Sequence, residues 1–293
     1  MPVVEPFPHP AMSAMSHLDS LLLDGQLMAA VDWCKQAIRS APSAIEPRVA
    51  LYELAVFQGD WERCKNQVDT IVSLGGDPLH WMGHLANIHA AQARAQCWLG
   101  RERPPVLGAC DDEERTMFAR LWQAIVKAAA GDPSLIAENA ADYGGMVFGP
   151  GKINGVEFAE LSTIDSRLPG VLEISDGGDY AWLWLGAVDR IEMQGGATNL
   201  SEVLWIPSRV FLTNGEVKAI SIFGLYPQTE LSANPRVVLG RETEWDEAHD
   251  TLSLGKGGQL LDVDARPIPF QQIRLLEFVG DAASASMQPE ALA

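Results

Sequence analysis

Residues 22–74 contain one motif twice, with equivalent positions 34 residues apart. Gly25 and Gly59 mark equivalent points in the two copies. The residues that follow each glycine match in register: Leu27 with Trp61, Ala30 with Cys64, Cys34 with Val68, and Ala37 with Ile71. This period, with glycine at an interhelical turn and a small residue five positions later, is typical of tetratricopeptide repeats. It predicts antiparallel helix pairs that bury their apolar faces against the next pair.

Helix start signals extend this prediction to about residue 145. Pro47 suits the first turn of a helix, and Asp111 followed by Glu114 has the spacing of a capping box. The four cysteines all lie in this half without a CxxC pair, so we expect reduced, buried thiols. Residues 1–145 are therefore predicted to form an all-α, tetratricopeptide-like helical repeat domain.

After a turn-rich linker at residues 144–155, short β-type segments replace the helical period. Asn214-Gly215 lies between two such segments and predicts a hairpin with positive φ at both turn positions. Several short strands with frequent turns indicate a mainly-β, barrel-like domain over residues 146–280. Residues 281–293 are small and polar, and are predicted to be a disordered tail. The predicted fold class is α+β.

The formal charge of the chain is -18. Both halves are acidic and neither contains a run of Lys and Arg, which disfavours nucleic acid and anionic membranes as partners. Residues 1–17 do not have the pattern of a secretory signal, and no stretch is long and apolar enough for a membrane span. Together with the cysteine usage, this predicts a cytoplasmic protein.

The strongest metal candidates are His80, His84 and His89. The first two have the i, i+4 spacing of a zinc pair, but no third ligand follows at a fixed spacing and no HExxH motif is present. A cluster of carboxylates lacks the glycine and the terminal glutamate of a calcium loop, and is interpreted as a solvated loop. Its members are Glu242, Glu244, Asp246 and Glu247. No metal site is predicted.

Residues 255–258, with sequence Gly-Lys-Gly-Gly, superficially resemble a phosphate-binding loop. Such a loop ends in Lys-Ser or Lys-Thr at a helix N-terminus, whereas this one precedes a β-type segment, so a turn is predicted. The chain also lacks a GxSxG motif and a cysteine with a catalytic signature. We therefore predict no catalytic residue, no cofactor and no enzymatic activity.

Charged residues within the β-rich half must find partners if they are buried, because an unpaired buried charge is costly. We interpret a group of them as a structural polar network that holds loops together, and a ligand or peptide pocket is the alternative. The members of this predicted network are Asp165, Arg167, Glu173, Arg241 and Glu244.

Tryptophan is frequent in this chain, and four of the nine tryptophans lie in the β-rich half. Trp182 and Trp184 have the same strand parity and should face one side of a sheet. Core packing is one interpretation of these residues, and an aromatic groove for a partner helix is the other. The predicted partner-binding residues are Trp182, Trp184, Trp205, Arg209 and Trp245.

Several short sequence motifs resemble those of a known protein family. They are Leu-Tyr-Glu-Leu at 51–54, Gly-Asp-Trp-Glu at 59–62, Asp-Ser-Arg-Leu-Pro-Gly at 165–170, Tyr-Ala-Trp at 180–182, Trp-Ile-Pro-Ser-Arg at 205–209 and Leu-Gly-Arg-Glu-Thr-Glu-Trp at 239–245. In their order and spacing the chain resembles the ImpE/TagJ (SciE-type) family of type VI secretion accessory proteins. The resemblance covers residues 15–280.

This resemblance implies a cytoplasmic, non-enzymatic protein with an N-terminal helical domain and a C-terminal β-rich domain. It further implies binding to the N-terminal helix of the contractile sheath small subunit, TssB, and action near the ATPase ClpV in sheath turnover. Two alternatives remain open. One is a small-molecule sensor or enzyme that uses the Arg/Glu cluster of the β-rich domain, and the other is a generic tetratricopeptide scaffold.

Overall fold

The computed structural model describes residues 10–108, 110–194, 203–246, 252–279 and 286–287. Seven helices lie within the first 145 residues: α1 (Pro10–Leu23), α2 (Leu27–Ser40), α3 (Glu46–Phe57), α4 (Trp61–Ser73), α5 (Pro78–Trp98), α6 (Asp112–Ala129) and α7 (Ser134–Tyr143). Each helix packs against the next along the chain. None of the helices within the described residues combines the length and apolarity needed to span a bilayer.

Five of these helices end in the same way, on a glycine with positive φ. The glycines are Gly25, Gly59, Gly75, Gly100 and Gly131. After each one, the next residue donates its backbone N–H to a carbonyl five residues earlier, as in Gln26 to Leu21 (2.7 Å) and Asp60 to Ala55 (2.9 Å). This is the Schellman motif, which satisfies carbonyls at a helix end and requires a left-handed residue. The two repeated glycines thus have equivalent roles.

The predicted start signals are confirmed. Pro47 lies in the first turn of α3, and Asp111 and Glu114 form a reciprocal capping box at the start of α6. Most of the matched repeat positions are buried, although Trp61 is only half-buried. The tetratricopeptide assignment itself stays a prediction, because helix pairing and glycine caps also occur in other helical folds.

The strands are short. They are β1 (Val106–Leu107), β2 (Met146–Val147), β3 (Gly151–Ile153), β4 (Val156–Phe158), β5 (Leu161–Thr163), β6 (Val171–Asp176), β7 (Asp179–Trp184), β8 (Val188–Met193), β9 (Trp205–Leu212), β10 (Val217–Phe223), β11 (Thr243–Trp245), β12 (Gly255–Gly257), β13 (Leu260–Val263), β14 (Arg266–Pro269), β15 (Leu275–Phe278) and β16 (Ser286–Met287). Nine of them form one sheet in the order β1-β7-β6-β10-β9-β8-β15-β3-β4.

The barrel-like prediction is wrong. Within the described residues, β1 and β4 occupy opposite edges of the nine-stranded sheet, so the sheet is open. Its pairs are antiparallel except for β1 and β7, which run parallel. β1 comes from the connection between α5 and α6 and takes an edge position. Strand patterns in a sequence indicate that strands exist, but closure depends on pairing between distant segments, which the patterns do not contain.

The predicted hairpin at Asn214-Gly215 is present between β9 and β10, but its turn differs from the prediction. Only Gly215 has positive φ (84°), so the connection is a three-residue loop rather than a two-residue turn. A turn with positive φ at both positions is instead formed by the other Asn-Gly pair, Asn154 (51°) and Gly155 (82°). It joins β3 to β4, so the predicted linker contributes a hairpin to the main sheet.

Helix α5 joins the two halves by packing on β6 and β7. One continuous cluster of buried apolar side chains reaches from Leu18 in α1 to Leu276 in β15. Of the predicted tail at residues 281–293, only Ser286–Met287 lie within the described residues, where they form β16 and pair with β2.

A candidate docking surface between the helices and the sheet

A buried ion pair connects α5 to the sheet. Arg94 of α5 donates from Nε to Glu173 Oε1 on β6 (2.9 Å) and from Nη2 to the second carboxylate oxygen. Arg94 Nη2 also donates to the carbonyl oxygen of Leu225 (2.8 Å). Because the side chains of Arg94 and Glu173 are only 13% and 2% exposed, each charge depends mainly on the other for compensation.

Further donors surround the same carboxylate. Tyr180 Oη donates to Glu173 Oε1 (2.6 Å), and Trp98 Nε1 donates to that oxygen as well (2.8 Å). Burial alone would raise the pKa of Glu173, but the charge of Arg94 and these hydrogen bonds hold it below its ordinary value. Burial and the Glu173 charge raise the pKa of Tyr180. Glu173 is therefore ionised, and its carboxylate oxygens accept hydrogen bonds from Arg94, Tyr180 and Trp98 within the fold.

A second buried ion pair, between Arg167 and Asp165, also contacts Trp98. Arg167 Nε donates to Asp165 Oδ1 (2.8 Å), and Arg167 Nη2 donates to the carbonyl oxygen of Gly255 (2.7 Å). The Gly255 N–H returns a hydrogen bond to Asp165 Oδ2 (3.0 Å). The Arg167 guanidinium lies over the Trp98 ring, 5.2 Å from its centroid. Trp98 thus contacts both ion pairs.

An apolar cavity of about 250 Å³ lies beside Arg94, and we call it the seam cleft. Its walls come from α3, α5, β9, β10 and the segment after β10, with Phe57, Ala91, Leu99, Trp205, Phe223 and Leu231 among the lining residues. Leu99 and Leu231 are 49% and 68% exposed, so apolar surface continues onto the rim. An exposed apolar rim around an apolar cavity is typical of a protein-binding surface.

A second, more open cavity of about 600 Å³ lies along the N-terminal half of α5, and we call it the polar trough. His80, His84 and Asn87 of α5 form one wall, and Ser221 and Arg209 of the sheet lie opposite. Trp205 lines both the polar trough and the seam cleft.

The segment after β10 packs on the repeated glycine turns. A Cβ at Gly25 would lie 2.7 Å from Arg236 Cγ, and one at Gly59 would lie 3.5 Å from Glu230 Cγ. Arg236 Nη1 donates to the Leu23 carbonyl at the end of α1 (3.1 Å). The same segment therefore lines the seam cleft, donates a hydrogen bond to the end of α1 and lies close to the turn that follows α3.

The predicted partner-binding residues do not form one surface. Trp182 and Trp184 are buried, with 0% and 1% exposure, so core packing describes them and a partner cannot reach them. Trp205 is buried but lines both cavities. Arg209 is exposed beside the polar trough and pairs with Glu192 (3.4 Å). Trp245 is half-buried against Tyr226 and does not itself line the seam cleft.

The predicted polar network separates into a buried part and a surface part. Asp165, Arg167 and Glu173 lie around Trp98, as described above. Arg241 is exposed, and Glu244 accepts a hydrogen bond from the Ser232 hydroxyl (2.7 Å). Arg94 was not among the predicted residues, and it lies 79 residues before its partner Glu173. The available signal was an arginine inside the Ala-rich stretch of α5, where most neighbours are apolar.

The histidines considered as metal ligands have other contacts. His84 Nδ1 lies 3.1 Å from Tyr52 Oη, and His89 Nδ1 lies 2.9 Å from the Gly178 carbonyl oxygen. No group of three metal-ligating side chains occurs among the residues that the structure describes. Residues 255–257 form β12, so the turn predicted for this segment is wrong. Glu247 of the acidic cluster lies outside the described residues.

Comparisons with known proteins agree with this architecture. Residues 155–277 match the model of the ImpE protein family. The type VI secretion system accessory component TagJ of Pseudomonas aeruginosa is 28% identical over 264 residues, which cover 89% of this chain and 90% of that protein. The crystal structure of a protein from Vibrio parahaemolyticus superposes with a TM-score of 0.76, covering 90% of this chain and 98% of that one at 23% identity.

The structural match concerns the fold alone, since its sequence identity is low. The family model covers most of the main sheet, including the strands that carry Glu173 and Trp205. The similarity to TagJ extends through the helices as well. The chain is therefore similar to the ImpE protein family over residues 155–277 and to TagJ over most of its length.

Proposed function

We propose that this chain is a non-catalytic adaptor of a type VI secretion system that acts in the cytoplasm. In this proposal it binds the N-terminal helix of the contractile sheath small subunit, TssB, and modulates sheath turnover together with the ATPase ClpV. The observation that carries the proposal is the apolar seam cleft with its exposed leucine rim. Grooves of this kind accept the apolar face of a partner helix.

The similarity to TagJ, which is described as a type VI secretion accessory component, supports the choice of system. The pairing of the buried charged side chains supports a binding role over a catalytic one. Arg94 is paired with Glu173, and Arg167 with Asp165. A catalytic side chain normally keeps a hydrogen-bond donor or acceptor free to contact the substrate. The charged groups of these two pairs instead form their hydrogen bonds with each other and with neighbouring groups of the fold.

The test uses the full-length protein and a fluorescent peptide that spans the N-terminal helix of the cognate sheath small subunit. We expect saturable binding in a fluorescence anisotropy titration at physiological salt. A peptide of the same composition with scrambled order is the control, because it keeps the charge and loses the apolar face. Equal binding of both peptides, or none, would overturn the partner assignment.

The role with ClpV is tested separately on assembled sheaths. We expect the protein to change the rate at which ClpV disassembles sheaths, measured by light scattering. Sheaths whose small subunit lacks the N-terminal helix serve as the control, because the protein should not affect them. An unchanged rate with intact sheaths would contradict the ClpV part of the proposal while leaving the binding part intact.

A further inference from the structure

We draw no further inference here: the strongest candidate, the cavity of about 260 Å³ that Arg167 and Lys256 line between α6, α7 and β12, borders residues 247–251, which lie outside the described residues, so nothing in the structure shows what covers it.

Discussion

Arg94 is the side chain on which the junction between helices and sheet depends most. It pairs with Glu173, donates to the Leu225 carbonyl and lies over the Phe223 ring at 4.6 Å from the centroid. The ion pair, the hydrogen bond and the ring contact each link α5 to a different part of the sheet region. Its removal would leave Glu173 buried with a charge and without its main partner.

Arg94→Met should therefore be strongly destabilising. We expect the free energy of unfolding to fall by about 3–5 kcal/mol, as is typical when one partner of a buried pair is removed. Arg115→Met is the control, since Arg115 pairs with Asp112 on the surface and should cost about 0–1 kcal/mol. Urea unfolding measures both changes. Similar losses of unfolding free energy in the two variants would show that the pair of Arg94 and Glu173 contributes no more to stability than a surface ion pair.

His84 predicts a specific pH dependence. Burial, with a contribution from His80, lowers its pKa from 6.5 to about 4 in the folded protein. Below pH 6.5 the unfolded chain therefore binds a proton at this residue more readily than the folded chain does. The stability associated with His84 is present above pH 6.5, falls as the pH drops, and is lost once the folded pKa has been passed.

His84→Gln should reduce this acid sensitivity while keeping a group that can bond to Tyr52. Between about pH 7.5 and about pH 5 we expect the wild type to lose more free energy of unfolding than the variant. Denaturant titrations at several pH values measure the difference. Parallel profiles of unfolding free energy against pH for the two proteins would contradict the role given to His84. The difference in unfolding free energy at about pH 7.5 measures the packing that the substitution removes.

The sequence predicted part of the buried network for a local reason. Asp165 and Arg167 are two residues apart, so their pairing is a short-range contact that a sequence pattern indicates. Glu173 was also identified, but its partner was not, because Arg94 reaches it only after α5 packs on β6. Arg241 and Glu244 occur in the same kind of sequence and lie nearer the surface. Which charges become buried is decided by packing between distant elements.

At the scale of elements, the repeated glycine turns serve two purposes. Gly25 and Gly59 end α1 and α3 with φ values of 71° and 66°, a region that other residues adopt only with strain. Both turns also lie against the segment after β10. The equivalent glycine after α6, Gly131, has a φ of 91° and no atom within 4 Å of its Cβ position.

This difference can be measured with two matched substitutions. Gly131→Ala should cost about 1–2 kcal/mol in unfolding free energy, from left-handed strain alone. Gly25→Ala should cost more, because its Cβ would also displace Arg236, whose Cγ lies 2.7 Å away. Chemical denaturation of both variants tests the order. A smaller loss for Gly25→Ala would show that Arg236 moves aside easily.

Helices were easier to predict than the arrangement of strands. The glycine caps, Pro47 and the Asp111–Glu114 capping box are local signals, and each occurs where it was expected. The sheet instead depends on which strands pair, and β1 joins it from between two helices. Local turn chemistry was also ambiguous: Asn154-Gly155 and Asn214-Gly215 have the same sequence but form turns of different length.

At the scale of the whole molecule, the helices and the sheet share one interior. The continuous cluster of buried apolar side chains includes residues from both halves, and the pair of Arg94 and Glu173 lies between them. The capping-box residue Glu114 of α6 also accepts a hydrogen bond from Trp184 Nε1 of β7 (2.9 Å). Separation of the halves would expose apolar surface and leave buried charges without partners on both sides.

The full chain should therefore unfold in one transition, with tryptophan fluorescence and far-UV circular dichroism giving the same midpoint. Residues 1–145 expressed alone should not unfold cooperatively, because the apolar face of α5 and Arg94 would be exposed to water. Residues 146–293 should fail in the same way, since Glu173 would lose Arg94. A fragment with residues 1–145 that unfolds cooperatively at the midpoint of the full chain would show that the helices are stable without the sheet.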